Sequence, residues 1–487
     1  MLFNSYEFIF FFLPITFFIF FYLNSKKLTQ VSKGFLVFSS LFFYSWWNII
    51  YLSLIVISMM FNYIMGISLI DYDEYRKKVS KKQLLSIGIV VNVGLLGYFK
   101  YADFFINNIN CVFNIDIPLL HLALPLAISF FSFQQIAYLV ESYRGETKEY
   151  EFLDYAFFVT FFPQLIAGPI VHYKEMISQF TNEKNKLINY KNIAIGLFIF
   201  SIGLFKKVVI ADRFAVWATK GFDYAEVLNF CEAWVTSLSY TFQLYFDFSG
   251  YTDMATGAAL LFNISLPINF NSPYKASNIQ SFWRRWHITL SRFLKNCIYN
   301  PLGGNRKGNL KTYNNLMITF LIGGFWHGAG WNFIFWGFLH GLALVVHRIW
   351  NQLGFKLNNA IGWIITFNFI NIAWIFFRAT NWDDAIKVLH GMLGLNGIVL
   401  PSKLALKLAF LNQYGIEFGI WGRNINGNQW TFAWLFAGFF LITFFKNSIE
   451  LKNNFDLNCV YLAMNIFLIV TSFFYFGKYT EFLYFNF

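Results

Sequence analysis

The chain is poor in charge: of its 487 residues only 13% are Asp, Glu, Lys or Arg, against 57% hydrophobic and 22% aromatic. A soluble domain carries about a quarter of its residues charged, so a water-solvated surface is excluded and the bilayer becomes the solvent. Cysteine is scarce as well. Cys111, Cys231, Cys297 and Cys459 show neither metal-ligand spacing nor a pairing pattern, which removes a disulfide framework and a thiolate metal site. There is no Gly-rich phosphate loop, no GxSxG elbow and no HExxH or CxxC spacing, so nucleotide hydrolysis, serine-esterase chemistry and zinc catalysis each lack their signature. No repeat unit and no disordered tail is visible. The first apolar run starts near residue 8, behind Glu7. It has no basic leader and no small-residue cleavage site, and so reads as a retained span rather than a signal peptide.

What is present is a series of apolar runs that fills almost the whole chain, which implies one polytopic, all-α membrane domain over 1–487. The runs lie near 8–23, 34–70 (two crossings), 84–98, 122–140, 152–170, 193–205, 234–261, 316–346, 363–377, 431–445 and 461–474, giving ten to twelve crossings. The net charge of +12 sits in short loops such as Lys26–Lys27 and 76–82. Such loops face the cytoplasm, which puts the N-terminus outside. Nucleic acid is a poor explanation for charge so placed; anionic lipid or a phosphorylated cytosolic substrate fits better. Inside the run at 152–170, Pro163, Gly168 and Pro169 break the helix, and such breaks are tolerated at membrane depth only when packed in protein or lining a cavity.

Two histidines stand out in the stretch 282–341. On a helical wheel, 282–298 places Phe282, Trp286, Leu290, Phe293 and Cys297 on one arc and Arg284, Arg285, Arg292 and Lys295 on the other, which predicts one amphipathic interfacial helix. His287 falls at the edge between the arcs, where it either snorkels to the headgroups or dips toward a pocket. The four basic residues, with Arg306 and Lys307 beyond, make a patch suited to anionic lipid or to the phosphates of a nucleotide-like acyl donor. His327 comes eleven residues after Leu316, about 17 Å along a helix, near the middle of a hydrocarbon core about 30 Å thick. An imidazole there is a functional hypothesis by default, because it exchanges a proton near neutral pH.

His340 follows thirteen residues later. On a continuous helix it lies about 20 Å from His327, too far to act on the same atom, and it reads as a packing residue together with His347. His121, His172 and His390 border polar segments and are expected to be solvated. Asp247, Ser249 and Asp253 interrupt the run at 234–261, where two carboxylates require partners or water. A transporter would use such groups as an ion relay, with inverted-repeat symmetry that this chain does not show. A non-catalytic scaffold would tolerate loss of either histidine.

Seven segments carry a resemblance: LPLAISFFSFQQIAYLVESYRG (124–145), FFPQLIAGPIV (161–171), YFDFSGYTDMATG (245–257), FWRRWHITLSRFLKNCIYNPLGGNR (282–306), GGFWHGAGWNFIFWGFLHG (323–341), WIFFRA (374–379) and FLYFNF (482–487). Together they resemble the membrane-bound O-acyltransferases, in the branch that holds bacterial alginate and peptidoglycan O-acetyltransferases. Thr252 and Asn486 depart slightly from that branch's pattern. The resemblance implies a ring of tilted helices around a thinned centre, with a tunnel through which cytosolic acyl-CoA meets a hydroxyl from the other side. It implies that His327 is the catalytic histidine and His287 the second functional one. Arg284, Arg285, Arg292 and Lys295 then receive acetyl-CoA, while Trp326, Asp247, Ser249, Asp253 and Asn332 are expected along the tunnel. No metal and no permanently bound cofactor is expected. The acceptor is expected to be a cell-envelope polysaccharide, peptidoglycan before an alginate-like exopolymer or D-alanylation of teichoic acid, reached through an extracytoplasmic transferase partner. The expected location is the bacterial inner membrane.

Overall fold

The computed structural model describes residues 1–72, 79–147, 151–476 and 482–483. The basic residues at 76–78 and the last four residues of the terminal motif therefore lie outside the described part. The architecture is helical. Six helices among the described residues are long and apolar enough to cross a membrane: Glu7–Ser25, Ile50–Ile70, Lys81–Phe113, Tyr190–Tyr224, Trp331–Gln352 and Asn359–Arg378. Shorter apolar helices, Gln429–Thr443 and Cys459–Tyr475, join them. The run at 34–70 resolves into Thr29–Ser45 and Ile50–Ile70, two helices as expected.

The molecule is built around the 32-residue helix Phe230–Leu261, which is buried along nearly all of its length. At about 1.5 Å per residue it is about 48 Å long, longer than a hydrocarbon core is thick. Its polar residues are tolerable because protein, not lipid, surrounds it. Helix Tyr190–Phe205 lies against it so closely that a Cβ on Gly203 would stand 2.5 Å from the Gly250 carbonyl oxygen, and one on Gly257 would stand 2.5 Å from that of Gly196. Small residues permit this backbone contact, the usual basis of helix association where water gives no driving force. Just beyond, Lys207 pairs with Asp247 at 2.7 Å and Asp212 at 2.9 Å, and Lys206 with Asp253 at 2.6 Å.

Two expectations change. The stretch 282–298 is not one interfacial helix: it breaks after Ile279–Trp283 and resumes as Ile288–Leu294. The apolar arc has the expected members, but Phe282, Trp286, Leu290 and Phe293 are buried in protein. The run at 316–346 is not continuous either. Helix Asn309–His327 ends at Gly328, and Trp331–Gln352 runs back along it. A Cβ on Gly324 would meet the Phe333 carbonyl at 2.3 Å, so only glycine lets the two helices close into this hairpin.

The break at 161–172 behaves as predicted. Phe152–Thr160 and Phe162–Leu165 are helical, the chain from Ile166 to Val171 is not, and every residue from Asp154 to Val171 is buried. Several of its polar groups are bonded internally: the Gln164 side-chain amide donates to the Phe158 carbonyl at 2.6 Å, and the Ile170 N–H donates to Thr289 Oγ1 at 3.1 Å. At the far end of the central helix, residues 382–424 form a cap with two short parallel strands, Ile398–Pro401 and Ile416–Gly419.

Candidate active site

His327 is the last residue of its helix and is 5% exposed. Its ring lies 4.8 Å from that of Trp326, 5.1 Å from Trp336 and 5.0 Å from Phe377, all centroid to centroid. It faces protein, not lipid. Because the chain turns back at 328–330, Trp336 of the return helix packs on His327, and His340, one turn further along that helix, lies beside Trp336 with ring centroids 4.6 Å apart. The expected 20 Å separation from His327 assumed a straight helix. In the hairpin, His340, His287 and Lys100 all stand within electrostatic range of His327.

His287 occupies the break in the 282–298 segment with φ 44° and ψ 53°. A left-handed backbone costs a histidine about 1–2 kcal/mol, and such strain persists only where the surroundings impose it. Here Asn269 imposes it. Asn269 Oδ1 accepts from the Thr289 N–H at 3.3 Å and from the Thr289 hydroxyl at 2.9 Å, and stands 3.1 Å from His287 Nδ1. The Asn269 carbonyl takes the N–H of Ile288. An amide oxygen only accepts, so Nδ1 carries the ring proton and Nε2 a lone pair. His287 is 1% exposed and does not snorkel. Trp326 packs against both histidines, with ring centroids 6.3 Å from His287 and 4.8 Å from His327.

His340 is held oppositely. Trp283 donates its indole N–H to His340 Nδ1 at 3.2 Å, so the proton of this neutral ring is on Nε2. The indole nitrogens of Trp326 and Trp336, both buried, have no hydrogen-bond partner among the described residues. Buried donors without partners mark a place where a ligand oxygen or water belongs.

Two cavities are lined by residues adjoining this cluster in the chain. One, about 480 Å³, lies against Asn269, Phe270, Ile288 and Thr289, beside His287, with Asp253, Arg292 and Lys452 in its wall. The other, about 250 Å³, lies against Gly328, Ala329 and Phe333, beside His327, with Lys100 and Asp103 in its wall. A cavity of about 500 Å³ around Lys33, Glu151 and Asp154 is lined by none of the residues that flank the histidines.

Of the other residues picked from the sequence, Arg292 sits at the mouth of the first cavity, paired in two bonds of 2.8 and 3.2 Å with Glu175. Arg284 and Lys295 are exposed, while Arg285 bonds Ser281 and the Asn271 carbonyl. Asn332 fixes the start of the return helix by donating to the Ala379 carbonyl at 2.8 Å. Asp247 is committed to Lys207 and to the N–H of Leu483, and Asp253 to Lys206 and Ser448. Ser249 is buried in the central helix. His172 is not simply solvated, since its Nδ1 contacts the Glu141 carboxylate. No group of three metal-binding side chains occurs among the described residues, and no cysteine is paired.

Sequence reasoning passed over Asn269, Trp283, Trp336, Lys100 and Tyr101. Lys100 carried a signal, a lysine interrupting the apolar run GYFKYADFF. Asn269 carried none, because its role depends on a chain reversal.

The family model for MBOAT, the membrane-bound O-acyltransferase family, matches residues 10–381. The chain belongs to that family. It is 54% identical over 443 residues to the peptidoglycan O-acetyltransferase of Helicobacter pylori, covering 85% of this chain and 84% of that protein. It is 39% identical over 401 residues to a protein of Pseudomonas putida named probable alginate O-acetylase AlgI, covering 80% of each. A teichoic acid D-alanyltransferase of Streptococcus thermophilus is 26% identical over 52% of this chain and 68% of its own length. The chain is thus a multi-pass membrane O-acyltransferase, and its histidine cluster lies within the matched residues.

Proposed function

We propose that this O-acyltransferase takes an acetyl group from cytosolic acetyl-CoA and delivers it across the inner membrane for O-acetylation of peptidoglycan. The observation that carries the reading is that the buried His327 and His287 both pack against Trp326, with one cavity lined by the chain next to His287 and another by the chain next to His327. The cavity beside His287 opens toward basic residues, among them Arg292, and suits the phosphates of the donor. Basic residues at that end favour the cytoplasmic side, which leaves the N-terminus and the cap outside.

In this mechanism His327 takes the proton of the acceptor hydroxyl as its oxygen attacks the thioester carbonyl. The new C–O bond forms, the C–S bond breaks, and the thiolate leaves with the proton returned by the imidazolium. Indole N–H groups of Trp326 and Trp336 steady the developing oxyanion. His287, with its Nδ1 proton committed toward Asn269, orients the donor side through Nε2. Peptidoglycan is preferred over an alginate-like polymer or D-alanyl transfer because the 54% relative carries that name. An extracytoplasmic transferase is the expected recipient. Native membranes given radiolabelled acetyl-CoA and each acceptor test the reading: label should enter peptidoglycan with the wild type and not with His327→Ala. Labelling by a folded His327→Ala protein overturns it.

A further inference from the structure

Lys100 has no part in the mechanism above, yet an ammonium inside an apolar helix is expensive and calls for a reason. Helix Lys81–Phe113 is regular through Leu96, widens into a π-turn at Gly97–Tyr101, and resumes as Ala102–Phe113. π-turns of this sort cluster at functional sites. The widening carries Lys100 and Tyr101 against the end of the His327 helix.

That end has an unusual need. A helix leaves its last four carbonyls without partners, and within a membrane no water is at hand to satisfy them. Helices commonly close through a left-handed glycine. This one leaves through Gly328 at φ −162° and ψ 153°, an extended exit. The donors come from the other span instead. Lys100 Nζ donates to the Trp326 carbonyl at 2.7 Å and the His327 carbonyl at 3.1 Å, and lies 3.4 Å from Ser129 Oγ. The Tyr101 hydroxyl donates to the Phe325 carbonyl at 2.8 Å and lies 3.3 Å from that of Trp326, while its ring stacks on Phe325 at 4.2 Å. Three successive carbonyls, ending on His327, are thus held by neighbouring side chains of one turn. A cation at a helix C-terminus also suits the helix dipole. Lys100 meanwhile lines the cavity beside Gly328 and Ala329.

We propose that Lys100 is a positioning residue for acyl transfer: its ammonium, helped by Tyr101, clamps the carbonyl end of the His327 helix and so sets where the His327 ring stands. The inference rests on the acetyl-transfer reading and deepens it. Misplacing a reacting group by about 1 Å costs on the order of a hundredfold in rate. The loss should therefore fall on kcat and not on donor binding.

The test measures initial rates of transfer from acetyl-CoA to peptidoglycan in native membranes holding matched amounts of each full-length variant. Lys100→Met is expected to lower kcat on the order of a hundredfold, with KM for acetyl-CoA within about twofold of wild type, and Lys100→Arg to recover part of the rate. Wild-type kcat in Lys100→Met overturns the proposal. So does a raised KM at unchanged kcat, which would make Lys100 a donor-binding group. Failure of Lys100→Arg to exceed Lys100→Met also overturns it. Should Lys100→Met not accumulate, Tyr101→Phe keeps the stacked ring and loses only the hydroxyl; it is expected to lower kcat about threefold or more, as loss of one hydrogen bond would, and an unchanged kcat there overturns the clamp. Wild-type activity with a silent His327→Ala alongside unaffected Lys100 variants sinks this inference alone. An inactive wild type sinks both.

Discussion

Two buried polar regions lie within one fold and are treated in opposite ways. Against the central helix, Lys206 and Lys207 meet Asp253 and Asp247, each ammonium matched to a carboxylate. Around the hairpin, His327, His287 and His340 are set among indoles, phenyl rings and one amide. Matched ion pairs bind helices together but are fixed in charge, because neither partner can change protonation without stranding the other. An imidazole whose Nδ1–H points at an amide oxygen, as in His287, keeps a basic lone pair on Nε2 with which to take up a proton, whereas the lone pair of His340 is engaged by the Trp283 indole. The first region can therefore hold the protein together, and the second can do chemistry.

Substitutions should separate the two. His327→Ala is expected to lose transfer by at least a hundredfold, the usual contribution of a general base, with a thermal unfolding midpoint close to wild type; a large drop in that midpoint would assign His327 to the structural side. Lys207→Met strands Asp247 and Asp212, and should cost about 3–5 kcal/mol of stability, read as lost folded protein in detergent. Adding Asp247→Leu should recover part of that stability, and no recovery would mean the pair is not the unit proposed.

Trp336→Phe keeps an aromatic ring but removes an unpartnered donor. It should lower kcat on the order of a hundredfold if that N–H serves an oxyanion, and leave it unchanged if the indole only packs. Asn269→Ala frees Thr289 and the strained backbone of His287, so a loss of about 1–3 kcal/mol is expected from the buried groups left unsatisfied, with activity falling in parallel. Arg292→Ala is the mildest. Its pair with Glu175 is partly exposed, so stability should move by less than about 1 kcal/mol, and any effect should appear as a higher KM for acetyl-CoA.

Much of the fold was legible because composition and apolar run length act locally. The two helices within 34–70, the break after Thr160 and the membership of the apolar arc of Phe282, Trp286, Leu290 and Phe293 all follow from residue order, although the burial of that arc in protein does not. His327 and His287 were legible as candidates for the same reason, since ionisable side chains are conspicuous in apolar surroundings. His340 packs among aromatic rings as expected, but its separation from His327 was overestimated because Gly328 and Gly330 were read as part of a straight helix. Asn269 was invisible because it acts on a residue eighteen positions away through a chain reversal.

The sequence by itself determined that this is a helical membrane protein with imidazoles where charge is costly, because transfer of side chains from water to lipid depends on the side chains alone. Which groups meet was settled by the packing of the helices. It gave the aspartates to lysines, folded the hairpin that brings His340 near His327, and brought Lys100 across from another span to the last carbonyls of the His327 helix. Those choices depend on which backbones can approach, at Gly203 against Gly250 and Gly324 against Phe333, and on buried polar groups having to find partners inside the protein.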